Sequence, residues 1–342
     1  MALLLAAVVA FGQGMGRMGG RGMGGPMHGA VFAPLPDLVP SAENPLTEEK
    51  IQLGRMLFFD ARLSRNRDVS CNSCHDLGTF GVDGMPVSTG DRSQQGTRNA
   101  PTVFNAAAHL AQFWDGRAPD VEEQAKGPVL NPIEMAMSSP EEVERVLRGI
   151  PGYVAAFRSA FPGEPEPVTF DNMAKAIGSF ERVLMTPSRW DQFLKGDAAA
   201  LTNAERMGFM AFHHAGCDQC HNGPTIGATS YQPLGRVKPW PNETDKGRYG
   251  VTGNEQDRMV FKVPSLRNVA KTSPYFHDGS VQTLEEAIRK MAEHQVGLQL
   301  TEPQIRSIAA WLHTLTGKLP LDLITPPQLP PDGSAVHQQK ED

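Results

Sequence analysis

Cysteine is scarce: the chain of 342 residues has 4. All of them fall in two short motifs, so none is left for a structural disulfide, and a disulfide-stapled scaffold is excluded. Aromatic residues make up only 7% of the chain, so other apolar surface must help to fill a core of this size. There is no basic excess. The 32 Lys and Arg face 38 Asp and Glu, a formal net charge of −6, which argues against nucleic acid as a partner. The apolar run Ala2–Phe11 is too short to span a bilayer securely. No stretch alternates apolar and polar residues for long, so a strand-built fold is not expected.

What is present is a repeated motif. Cys71-Asn72-Ser73-Cys74-His75 recurs as Cys217-Asp218-Gln219-Cys220-His221. Cys-x-x-Cys-His is the attachment pattern of a c-type haem. The two thiols form thioethers to one edge of a porphyrin, and the following His is brought beneath the iron as its proximal ligand. Zinc knuckles usually stand about 15–20 residues apart, whereas these pairs lie far apart, and dithiol redox motifs need no His. The spacing therefore predicts two covalently bound haems, one in each half of the chain.

Helical patterns flank both motifs. Lys50–Asp60 and Thr202–His214 precede them and share Gly-x-Met-x-Phe, as Gly54, Met56, Phe58 and Gly208, Met210, Phe212. This suggests a duplicated unit in which Gly lets a second helix approach closely. The second helices are predicted over Phe170–Leu184, ended by Thr186-Pro187, and over Ile305–Leu315, ended by Gly317. The expected fold is all-α, with two cytochrome c-like domains joined at an interface. Residues 1–35 read as a signal-like, low-complexity segment, with no Lys or Arg ahead of the apolar run. Residues 36–187 and 188–318 read as the two domains, and 319–342 as a wrap-around tail. Covalent haem attachment goes with export, so a periplasmic location is expected.

A haem with one protein ligand has a sixth position to fill, and what fills it decides function. For the second haem the candidates are Met291, on a helix opened by Thr283-Leu-Glu-Glu286, and His294 on the same helix; a Met that merely fills the core is the ordinary alternative. For the first, no His occurs from Asp76 to Arg98, and Met85 is the only soft side chain there, which favours an open site.

The chain resembles the bacterial di-haem cytochrome c peroxidases over roughly residues 36–320. The resemblance is carried by both haem motifs, by Gly96–Asn105, Ala111–Pro119 and Gln124–Pro128, and by Leu266–Ala270 with Pro274–Gly279. It implies reduction of hydrogen peroxide to water with electrons from a small periplasmic donor, a cytochrome c or a cupredoxin. By this resemblance His75 serves the peroxide-reactive haem, and His221 with Met291 the electron-accepting one. Glu134 is the acid–base residue, Gln124 its companion, and Trp114 the bridge between the haems. Calcium at the interface would be met by Asn99, Thr272 and Pro274, the last two through backbone carbonyls. A homodimer is expected by analogy. In one respect the chain departs from many members: Asp91, in Thr89-Gly90-Asp91-Arg92, stands where they place a His over the first haem. The first haem is therefore expected to be open without reductive activation, unless another side chain such as Met85 covers it. Two other activities compete: the di-haem enzyme type that matures methylamine dehydrogenase, whose second haem carries Tyr where this chain has Met291, and a non-catalytic di-haem electron carrier.

Overall fold

The computed structural model describes residues 32–333. The signal-like run Ala2–Phe11 and the Gly- and Met-rich residues 12–30 lie outside them. The described chain is helical, with one two-stranded antiparallel ribbon, Tyr231–Pro233 against Val260–Lys262, that the sequence pattern did not signal.

Two large hydrophobic cores form, with a smaller cluster of Trp240, Met259 and Phe261 beside them. The first is built around Leu53, Leu57, Phe58, Met173, Ile177 and Phe180. The second gathers Trp190, Phe209, Phe212, Ile308, Trp311 and Leu312. In each, the helix before the haem motif packs on the later helix. Glu48–Phe59 lies on Phe170–Glu181, and Asn203–His214 on Glu302–His313. The two glycines explain the closeness. A Cβ at Gly54 would overlap the Ala176 carbonyl, and one at Gly208 the Ser307 carbonyl. Backbone meets backbone there, and any side chain would force the helices apart.

The helix limits differ slightly from the sequence reading. Thr47 caps the first helix, so it starts at Glu48. Phe170–Glu181 stops before Thr186-Pro187. Gly317 does not stop the helix Glu302–His313, which is capped by Thr314. Gly317 instead lies against Thr186, where a Cβ would overlap the Thr186 carbonyl.

Both ends of the described residues cross to the opposite core. Phe32 packs edge-on against Trp190 and Phe209, while Asn44, further along, donates to Glu122 at 2.9 Å and to Ser179 at 3.1 Å in the first half. The tail returns the other way: Leu319, Leu323 and Ile324 cover the first core, and Arg62 donates to Pro330 O at 2.9 Å.

The duplication runs deeper than the helices. Asn105, Phe113 and Gly116 adopt left-handed backbone, and so do Asn268, Phe276 and Gly279, each pair at the same separation along the chain. In the same register the bridge Gln112–Ala118 matches Tyr275–Val281, and the helix caps Asp120 and Thr283 match. The contacts between halves follow it too. Asn99 N donates to His277 O and Lys262 N to Trp114 O, both at 2.8 Å. The interface segments 99–120 and 262–283 are thus related by an approximate twofold axis.

Candidate active site

Both Cys-x-x-Cys-His motifs open onto one connected cavity of about 1130 Å³. That is larger than the ~300–1,000 Å³ of an ordinary small-molecule pocket. The four thiols form no disulfide. Burial pushes the Cys71 and Cys217 thiols up to about 12, so both are neutral. Burial also lowers His75 and takes His221 down to about 4, which leaves neutral imidazoles of the kind that bind metal. Their Nδ1 atoms are buried without a hydrogen-bond partner. Gly227 keeps the space beside His221 open: a Cβ there would sit 3.2 Å from Nδ1. Thiol pairs, neutral imidazoles and a large apolar cavity fit two haems.

On the first half, the helix Val121–Leu130 and the turn after it deliver Gln124, Pro128, Asn131 and Glu134 to the cavity. Asp120 starts this helix by accepting from Glu123 N at 2.8 Å. The turn is pinned through its backbone. Glu134 N donates to Asn131 O at 3.0 Å, and Glu134 O accepts from Asp91 N at 2.8 Å. Gly90 lies so close that a Cβ would stand 2.7 Å from Glu134 Cα. Burial raises the Glu134 pKa, offset in part by the Arg117 charge and a hydrogen bond from the Asn131 amide. Among the described residues Gln124 has no side-chain hydrogen-bond partner, and it lines the cavity, available to a ligand.

The residue expected to decide access is placed differently from either reading of the sequence. Asp91 is only 2% exposed and does not line the cavity. Its carboxylate accepts from Asn66 Nδ2 at 2.6 Å, while its amide holds Glu134. It fastens the loop rather than facing solvent or the cavity. Met85 is 52% exposed and turned outward.

On the second half, Met291 ends the helix Leu284–Met291, just where the backbone widens into a π turn over Ala292–Val296. Such widening often marks functional positions. Met291 lines the cavity; His294 does not, and its Nδ1 lies 2.9 Å from Pro239 O. Trp114 and Met291 each pack against the cluster of Trp240, Met259 and Phe261, and Trp114 donates from Nε1 to Asn99 O at 2.9 Å. Asn99 uses its amide nitrogen on Met85 O at 2.9 Å, which leaves Oδ1 unspent. Thr272 and Pro274 line the same cavity.

Comparison with known proteins settles the family. The sequence profile of the di-haem cytochrome c peroxidases matches residues 48–199. The cytochrome c551 peroxidase of Pseudomonas aeruginosa is 49% identical over 298 residues, 85% of this chain and 86% of that one. The chain belongs to the di-haem cytochrome c peroxidase family. It is a peroxidase, a haem-dependent oxidoreductase. The cytochrome c551 peroxidase of Nitrosomonas europaea is 48% identical, covering 82% and 83% of the two chains. The methylamine utilization protein MauG of Methylorubrum extorquens is more distant, at 36% identity over 86% of both. Among solved structures, a MauG-like protein associated with microbial copper homeostasis superimposes with a TM-score of 0.74 and 32% identity, covering 86% of this chain and 97% of that one.

Three cavity residues of this peroxidase escaped the sequence reading. Arg117 stacks 3.4 Å over Phe113 and sends its charge towards Glu134. It sits in the block Ala111–Pro119, but a lone Arg carries no signal by spacing. Glu181 is buried in the closing helix, with its pKa raised to about 8 by burial and by Glu122. Lys262 is buried at a strand end. Neither had a sequence signal, since burial of a charge depends on distant elements.

Proposed function

We propose that this chain reduces hydrogen peroxide to water at the first haem site, draws electrons in through the second, and needs no prior reduction to begin. The observation that carries this is an asymmetry between equivalent helices. In the register that relates the halves, Met291 has Pro128 as its counterpart, eight positions after the caps Asp120 and Thr283. Both line the cavity. A thioether can ligate iron; a pyrrolidine ring cannot. The first site therefore has no ligand where its twin has one. Met85 faces outward and Asp91 is spent on Asn66, so neither closes the gap. Asp91, which replaces the His of many family members, contributes by anchoring Glu134 and not by facing the cavity.

In this reading the Cys71/Cys74 and Cys217/Cys220 pairs attach the haems covalently, His75 holds the first, and His221 with Met291 the second. The haems supply the two-electron redox chemistry. The protein supplies the rest. Gln124, free of internal hydrogen bonds, orients the peroxide. Glu134 takes a proton from one peroxide oxygen and returns it to the other as the O–O bond breaks. Two further protons and two electrons complete two water molecules. Arg117 stabilises negative charge on the departing oxygen. Trp114, on the same apolar cluster as Met291 and bonded to Asn99, is the relay between the sites. Calcium would take Asn99 Oδ1 and the Thr272 and Pro274 carbonyls, neutral oxygens of the kind it accepts. Among the described residues no cluster of three or more His, Cys, Asp or Glu offers a rival metal site. The donor would be a small cytochrome c or cupredoxin, the location the periplasm and the assembly a homodimer. No helix among the described residues is long and apolar enough to cross a membrane.

The test is the ferric protein mixed with peroxide and reduced donor, without pre-reduction. Immediate turnover is expected, with one high-spin and one low-spin haem by electron paramagnetic resonance. Two low-spin signals, with a lag until reductant is added, would overturn the proposal of an open first site.

A further inference from the structure

The register between the halves also relates the residues around the interface cation. Asn99, Thr272 and Pro274 have as counterparts Lys262, His109 and Ala111. These three are themselves together. Lys262 Nζ donates to Ala111 O at 2.7 Å and lies 3.4 Å from His109 Nδ1. Lys262 and His109 line the central cavity, as Asn99, Thr272 and Pro274 do. Burial takes the Lys262 pKa down to about 8, offset in part by the negative charge of Asp115, buried as well, which favours the ammonium.

An ammonium group and a calcium ion meet the same need in different ways. Each is a compact cation that gathers carbonyl oxygens. A carbonyl buried at the interface must find a donor or a cation. On one side of the axis the strand end supplies a side chain long enough to bring its own positive charge. On the other, the equivalent residue is Asn99, which brings an oxygen and no charge. We propose that Lys262 is a built-in cation that fills the twofold counterpart of the Asn99–Thr272–Pro274 site. The interface thus carries one internal and one exogenous cation. This rests on the calcium reading above.

The experiment compares calcium binding by the di-haem holoprotein as wild type, Lys262→Asn and Lys262→Met, using calcium chloride titration and metal analysis after desalting. Wild type and Lys262→Met are expected to bind about one ion per chain. Lys262→Asn, which recreates the oxygen of Asn99 and removes the internal charge, is expected to bind about two. A Lys262→Asn holoprotein with full haem content that still binds one ion would overturn the inference alone. A wild type that binds none would overturn the calcium reading first, and this inference with it. Should Lys262→Asn fail to fold, Lys262→Met decides. It keeps the stem but leaves Ala111 O without a cation, so its melting temperature should fall while it still binds one ion; an unchanged melting temperature would refute the role.

Discussion

Glu134→Gln separates proton transfer from architecture in this peroxidase. The substitution keeps the shape of the side chain. The backbone hydrogen bonds to Asn131 O and from Asp91 N do not involve it, so the turn should stay in place. What is lost is the group proposed to accept and return the proton. General acid–base catalysis is commonly worth about 10²–10⁴-fold, or about 2.7–5.4 kcal/mol of barrier. Peroxide kcat/KM should therefore fall about a hundred- to ten-thousand-fold. Haem content and the ferric spectra should stay as in the wild type. The pH profile adds a second check. Burial raises the Glu134 pKa, and the residue must be ionised to accept a proton. Wild-type kcat/KM should thus fall as pH drops through a value above the usual ~4.3 of Glu, and the variant should lack that limb. Wild-type turnover in Glu134→Gln, or an unchanged acid limb, would remove Glu134 from the proton path.

Three other outcomes are expected. Pro128→Met puts a thioether in the register of Met291; the first haem should turn low-spin, with the near-infrared band of Met ligation, and stop binding cyanide. Gly54→Ala and Gly208→Ala each place a methyl against a helix backbone and should cost about 1–3 kcal/mol in denaturant unfolding; both folding like wild type would disprove the close-approach argument. Glu181, with a folded-state pKa of about 8, holds its proton near neutrality. Its contribution to stability is full below the unfolded pKa near ~4.5 and is lost as pH rises through about 8. Glu181→Gln should therefore flatten the decline in unfolding midpoint over that range.

The order of helix, haem motif and closing helix was legible because it is written locally. Two Cys-x-x-Cys-His motifs, capping pairs such as Thr202–Glu205, and apolar residues at helical spacing need no distant partner to be read. The glycines before each motif were legible too, since a repeated Gly at one register position signals contact. The role of Asp91 was not. A carboxylate in a polar loop carries no mark of whether it will face solvent, a cavity or Asn66. Nor was the crossing of the chain ends visible, because Phe32 and Leu323 look alike to any apolar surface.

The sequence by itself determined the cofactor chemistry, the helical class and the duplication, all properties of residues close together in the chain. Only the tertiary structure decided which equivalent residues differ in consequence. In the proposed reading Pro128 matters because it lines the cavity in the register of Met291, and Lys262 because its ammonium reaches Ala111 O, 151 residues away in sequence. Such pairings depend on how two halves fold onto one axis, and no local pattern encodes that.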